Sequence, residues 1–135
     1  MNESTTIARA TATNQAAPYA VAIAAGHHAL AADEPKALGG GDSGASPFGL
    51  VASGLGACTA ITLRMYAERK KWPLRGLKVE LKVVRAADDS LHIDRVVAVE
   101  GELTEEQRLR LAEIAEKTPV TKALKAGFAI HTSLR

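Results

Sequence analysis

The sequence predicts an α+β domain spanning residues 1–135. Three observations carry that reading. From Pro47 to Tyr66 the chain runs through small and apolar residues that recur at helical spacing. The stretches LKVELKVVR and LHIDRVVAVEG alternate apolar and polar residues with the period of a strand. Two helix-start signals follow them: Thr104 with Gln107 three residues on, and Thr118 directly before Pro119. Strands, a long helix, strands, two helices and a last strand make an α+β order.

In chain order, the threonine-rich segment 5–13 reads as a strand. YAVAIAAG, Tyr19 to Gly26, sets Tyr19, Val21 and Ile23 on one side and alanines on the other, which suits a strand lying close to a neighbour. HHALAADEP is its expected partner, with the turn near Gly26 and Pro35 ending the pairing. GGGDSGASP cannot hold regular structure and reads as a loop. Ser46 then offers an N-cap and Pro47 a first helical residue. Along the helix Val51, Leu55, Cys58, Thr62 and Met65 line up, with Leu50, Gly54 and Ile61 beside them, and charge begins only at Arg64. Gly54 and Gly56 each cost about 1 kcal/mol of helix propensity against alanine, so a neighbour must come close enough to need the missing bulk. Trp72-Pro73 stops the helix.

Beyond it, Leu77, Val79, Leu81 and Val83 are expected to point inward and Lys78, Glu80 and Lys82 outward. Residues 86–90 turn the chain, and LHIDRVVAVEG returns as a second strand. The helix from Thr104 carries its apolar stripe on Leu111, Ala112, Ile114 and Ala115. A short helix opens at Pro119 and closes at Gly127, and FAIHTSL is the expected final strand. Residues 1–4 are expected to be flexible.

Hydrophobic residues make up 47% of the chain but aromatic ones only 4%, so the core must be built from Ala, Val, Leu and Ile. The formal charge of +2 is mixed along the chain, which offers no basic tract for nucleic acid or a membrane surface. No apolar run is expected to reach the length that spans a bilayer, and MNESTTIARATATN lacks the apolar centre of a signal peptide. A single cysteine cannot make an internal disulfide. A soluble, cytoplasmic protein is the expectation. A helix as apolar as Pro47 to Tyr66 is hard to bury within so small a chain. A second copy would cover it, so a homodimer built around this helix is expected. The alternative is a helix wrapped by the chain's own strands alone.

Cys58 is the candidate nucleophile. It stands about three turns into the helix, past the zone where the helix dipole acts, so a depressed thiol pKa would need a nearby cation. A lone helical cysteine is a small hydrophobe more often than a reagent, and spacing alone leaves both readings open. Thr59 and Thr62 flank it and can either donate to a thiolate or bond back to their own helix. His27 and His28 are adjacent and are expected to point to opposite faces, which argues against a shared metal ligand. Asp33 and Glu34 precede Pro35 and either end a strand or supply an acid near the site. GGGDSGASP lacks the lysine of a phosphate loop. No metal and no cofactor are expected.

SPFGLVASGLGACTAITLRMYAERKKWPLRGLKVEL, followed by GELTEEQRLRLAEIAEKTPVTKAL, resembles the OsmC/Ohr family of osmotically inducible and organic hydroperoxide resistance proteins, over residues 33–124. The resemblance implies an OsmC-like fold: antiparallel sheets packed around a long central helix in an intertwined homodimer, with two sites at the dimer interface. It further implies that Cys58 attacks the peroxide O–O bond and becomes a sulfenic acid. A second cysteine, just before the proline of the short helix, would then form a disulfide with it, and an external thiol would restore the pair.

The chain departs from that scheme. Thr118 stands where the resolving cysteine belongs, so a two-cysteine cycle within one subunit is excluded by composition. Threonine keeps a good N-cap there. The family's carboxylate after the helix-opening proline is replaced by Phe48, with Gly49 one residue later. The family's arginine after the first strand has no counterpart in TNQAAP; Arg9, upstream in that strand, is the nearest substitute for thiolate stabilisation, against the ordinary reading of a surface charge. The resemblance therefore implies an OsmC-like thiol-dependent (organic) hydroperoxide reductase with a role in oxidative stress defence. Cys58 would be the peroxidatic thiol, an organic hydroperoxide the substrate and an external thiol the reductant. Phe48, Leu50, Val51 and Leu55, with Thr59 and Thr62, would line its pocket and favour organic over hydrogen peroxide. Two alternatives stay open: a noncatalytic relative that binds a small apolar ligand at the dimer interface, and a structural dimer with an inert Cys58.

Overall fold

The computed structural model describes residues 3–135, which form two compact units, divided between Leu50 and Val51. The part of the expected flexible segment that falls on residues 1–2 lies outside the described residues.

The first unit holds three antiparallel strands, β1 (Ala10–Asn14), β2 (Val21–Ala25) and β3 (His28–Ala32), in that order. Pairing of Ala25 with His28 leaves Gly26-His27 as a two-residue turn, and Gly26 takes the left-handed φ of +60° that such a turn needs. Because His27 belongs to the turn, the two imidazoles do not diverge as strand neighbours would; their ring centroids are 4.1 Å apart. β1 begins at Ala10 and not at Thr5, and Ile7 is exposed.

Asp33 organises the loop that follows. It is buried, and its carboxylate accepts from the amides of Glu34 (2.7 Å), Gly41 (3.3 Å) and Ser43 (3.1 Å) and from the Ser43 hydroxyl (2.7 Å). The chain is pressed against itself at this point: a Cβ on Gly40 would lie 2.0 Å from the Glu34 carbonyl oxygen. The Ser43 hydroxyl, then its amide, with those of Glu34 and Gly41, hold the Asp33 carboxyl below its usual range against the opposing effect of burial. A depressed carboxylate pKa stabilises the fold above the unfolded value, and that contribution disappears as pH falls through the folded one. Asp33→Asn is therefore expected to lower the melting temperature at neutral pH and to make little difference in strong acid, measured by circular dichroism at both.

The long helix α1 (Pro47–Lys70) starts as the sequence indicates, with the Gly49 amide donating to the Ser46 hydroxyl at 3.1 Å. Its end is a Schellman motif: Lys71 is left-handed (φ +59°), its amide donates to the Glu68 carbonyl, and the Trp72 amide donates to that of Ala67. Pro73 follows. At 24 residues α1 is long and apolar enough to cross a membrane by length and composition alone, which corrects the expectation that no run reaches that length. Alanine and glycine account for the discrepancy: they keep charge out of the helix without the bulk that marks an apolar run. The same length and composition are also met by a core helix.

In the second unit, α1 packs with a β-hairpin and a second helix. Strands β4 (Leu74–Arg85) and β5 (Leu91–Gly101) pair antiparallel, Leu77 with Val99, Val79 with Val97, Leu81 with Arg95 and Val83 with Ile93. As expected, Leu77, Val79, Leu81 and Val83 are half-buried and Lys78, Glu80 and Lys82 exposed. The core gathers around Leu63, Leu111 and Ala115, with Tyr66, Trp72, Leu77, Val97 and Val99 against them. A Cβ on Gly56 would lie 2.8 Å from Leu81 Cδ1, so β4 is the close neighbour that this glycine admits. Gly54 faces open space in the chain.

Helix α2 (Glu105–Ala115) opens with the expected capping box: the Gln107 amide donates to the Thr104 hydroxyl (3.1 Å) and the Thr104 amide to Gln107 Oε1 (2.9 Å). Leu111 and Ala115 are buried and Ile114 half-buried, whereas Ala112 is exposed and leaves the expected stripe. Helix α3 (Pro119–Ala126) is capped by Thr118, with Gly127 beyond it at φ +84°. The expected final strand does not form. Residues 127–135 have no regular structure, and Phe128, Ile130 and Leu134 are exposed. Their alternation suits a strand, but a strand needs a neighbour to take up its amides and carbonyls, and none of the strands among the described residues pairs with it.

Candidate active site

Cys58 is a free, half-buried cysteine on α1. Its sulfur lies 3.9 Å from the Thr62 hydroxyl one turn on. At the start of α3, the Val120 backbone N–H and the Thr118 hydroxyl also favour the thiolate. Burial is the largest influence on the thiol and pushes its pKa up. The Val120 amide, the Thr118 and Thr62 hydroxyls and the positive charge of Arg95 together outweigh it, and the thiol rests below its ordinary value. The start of α3 thus does for Cys58 what the distant start of its own helix cannot.

Arg95 is the cation. It lies on β5 in the inward series Ile93, Arg95, Val97 and Val99, and only 11% of its side chain is exposed. Its Nη1 donates to Thr59 Oγ1 and to Thr121 Oγ1, both at 2.9 Å, while Nη2 meets Glu116 Oε2 at 3.3 Å. Glu116 ends α2, and its other oxygen accepts from Lys125 at 2.6 Å. Lys125 first, then Arg95, holds the Glu116 carboxyl below its usual value despite some burial. Thr59, Thr118 and Thr121 are all buried. The Thr59 hydroxyl is committed to the Leu55 carbonyl at 2.7 Å, so toward Arg95 it acts only as an acceptor.

Sequence reasoning missed Arg95, Thr121 and Glu116. A signal for the first was available: an arginine at an inward position of an alternating apolar strand needs partners that the apolar pattern does not provide. Of the residues singled out, Cys58, Thr59, Thr62 and Thr118 are brought together around this network. Leu55 is buried on α1, and Val51 is 43% exposed. Phe48, 52% exposed, and half-buried Leu50 belong to the first unit, as does Arg9, which is exposed. A groove of about 330 Å³ lies against β5 and α2, lined by Val97, Ala98, Val99, Arg108, Leu111 and Ala112, and includes none of the predicted residues.

The sequence model of a family described as OsmC-like protein matches residues 39–133. The chain belongs to the OsmC-like family. No curated protein sequence matches it. Among solved structures, the OsmC-like chain is similar to an OsmC-like protein from Mycoplasma pneumoniae at 19% identity and a TM-score of 0.76, over 93% of this chain and 89% of that one. It is similar to an organic hydroperoxide resistance protein OsmC from Legionella pneumophila at 20% identity and a TM-score of 0.67, over 91% and 92% of the two chains. A third likeness is to a putative organic hydroperoxide resistance protein from Vibrio cholerae, solved with captopril in one of its active sites, at 21% identity and a TM-score of 0.63, over 92% and 89%. The OsmC-like fold of antiparallel sheets and a long helix is therefore what the sequence indicated.

Proposed function

We propose that this OsmC-like protein is a thiol-dependent hydroperoxide reductase that works with one cysteine and an external thiol, in defence against oxidative stress. The observation that carries the reading is the setting of Cys58: its sulfur lies 3.9 Å from the Thr62 hydroxyl, and the Val120 amide, the Thr118 and Thr62 hydroxyls and the charge of Arg95 lower its pKa against the effect of burial. Such a surrounding favours the thiolate, which is the nucleophile. The Cys58 thiolate attacks the terminal oxygen of the hydroperoxide, the O–O bond breaks, and the alkoxide leaves as an alcohol after taking a proton. Sulfur is oxidised to the sulfenic acid. One external thiol then displaces water to give a mixed disulfide, and a second releases Cys58 and leaves as the oxidised reductant. Thr118 caps α3 and favours the thiolate but cannot resolve the intermediate.

A homodimer and a cytoplasmic setting belong to the same reading. The dimer is supported by the outer face of α1, where Val51, Gly54, Cys58, Ile61 and Met65 follow one another at steps of three and four. Ile61 is 58% exposed and Met65 53%. The test of the reaction is direct. Cumene hydroperoxide at sub-millimolar concentration is expected to give a dimedone adduct at Cys58, read by mass, and thiol-supported turnover that Cys58→Ser abolishes. An unlabelled Cys58 would point instead to a pocket that binds a small apolar ligand without reacting.

A further inference from the structure

Two surfaces of the second unit lack a neighbour. Residues 128–135 follow α3, and no backbone hydrogen bond among the described residues falls on them. Phe128, Ile130, Thr132 and Leu134 share one side of that segment when it is extended, and all four are exposed. The other surface is on β5, which runs for 11 residues and pairs only with β4, so its far edge is open. Such edges are usually covered, bulged or charged. β4 has two of these devices, a register shift between Leu74 and Gly76 and an outward row of Lys78, Glu80 and Lys82. The outward row of β5 includes Val96 and Ala98, both exposed. β1 and β3, the edges of the other sheet, are 5 residues each, shorter than the segment.

The side chains choose a register. The inward row of β5 is Ile93, Arg95, Val97 and Val99, one cation among apolar residues. The matching row of the segment is Phe128, Ile130, Thr132 and Leu134, one hydroxyl among apolar residues. Laid antiparallel, Phe128 meets Val99, Ile130 meets Val97, Thr132 meets Arg95 and Leu134 meets Ile93, so polar faces polar and apolar faces apolar throughout. Laid parallel on the same faces, Ile130 would meet Arg95 and Thr132 would meet Val97. The bonds from Arg95 to Thr59, Thr121 and Glu116 leave N–H donors over for a hydroxyl beside it. Phe128 comes to the groove of about 330 Å³, whose lining holds Val97, Val99 and Leu111 and no residue of β4.

We infer that residues 128–135 of a second copy add to the open edge of β5 as a third, antiparallel strand, with Thr132 of the partner subunit beside Arg95. The inference rests on the homodimer proposed above and names the segment that is exchanged. A two-fold pairing makes the contact twice and closes both edges. It also gives backbone partners to both segments, which the chain's own strands do not supply.

The test uses the full chain with Cys58→Ser, so that only installed thiols react. In the inferred register Ala129 lies opposite Ala98, both outward and exposed. Opposite residues are about 4.5–5.5 Å apart, within reach of a disulfide. Ala98→Cys with Ala129→Cys, oxidised by diamide, is expected to give a covalent dimer on a non-reducing gel, with positions 98 and 129 joined in the peptide map. Ala98→Cys with Ser133→Cys, the pair that the parallel alignment would bring together, should stay unjoined. A bond between 98 and 129 within one chain, a bond in the second pair instead, or none in either overturns the inference. Hydrogen exchange of the unmodified protein gives a second measurement, which decides alone should the cysteine variants lose the native circular dichroism spectrum. Its native mass by light scattering should be that of two chains, with amides in 128–135 exchanging about tenfold or more slowly than in a free peptide. A dimer whose 128–135 amides exchange as freely as a peptide overturns this strand and keeps the homodimer. A native mass of one chain overturns both.

Discussion

Arg95→Met is expected to slow alkylation of Cys58 at neutral pH and to move the thiol midpoint upward. The variant removes the positive charge that favours the thiolate and the donor that orients Thr121. It also leaves Glu116 as a negative charge on that side of the network, with Lys125 as its remaining partner. The fold should survive, because Thr59 keeps its bond to the Leu55 carbonyl and Thr121 keeps Thr118 and the Ala115 carbonyl. Arg95→Lys should fall between the two. An ammonium keeps the charge but lacks the planar fork that meets Thr59, Thr121 and Glu116 at once. The sign follows from the direction of the shift: a depressed thiol pKa means that the fold favours the anion, so the loss is seen below the variant's new midpoint and vanishes above it. Equal profiles for Arg95→Met and wild type would remove Arg95 from the site.

Leu63→Ala is expected to cost about 3 kcal/mol of stability, since a fully buried leucine loses both its transfer energy and the packing around it. For a domain of this size that is a fall of roughly 10 °C in melting temperature. Leu63 lies at the centre of the cluster with Leu111 and Ala115, where α1, the hairpin and α2 meet. Calorimetry gives the loss, and the alkylation midpoint of the folded variant should stay near the wild-type value because Leu63 makes none of the contacts to Cys58. A loss below about 1 kcal/mol would mean that the site collapses freely and that the core lies elsewhere.

Periodicity and punctuation made most of the fold legible. Ser46-Pro47, the Thr104 capping box and Thr118-Pro119 each placed a helix start correctly, because a cap is a contact between residues three or four apart. The alternation in β4 and β5 likewise fixed which side chains turn inward. The tail from Phe128 was misread because local pattern says that a segment can be a strand and not whether a neighbour exists. The candidate site was half legible. Cys58 and Thr118 stood out by residue type and position, and Thr59 and Thr62 by their place beside them. Arg95 and Glu116 did not, because their roles come from the long-range pairing of β5 with β4 and from where α2 ends against α3.

The Thr118 hydroxyl has two duties: its oxygen accepts the Thr121 amide at the start of α3, and it favours the Cys58 thiolate. Installing a cysteine there would add a second thiol, yet it would forfeit about 1 kcal/mol of capping and a hydroxyl that favours the Cys58 thiolate. Self-repair and a helix cap that also favours the thiolate thus compete for one position.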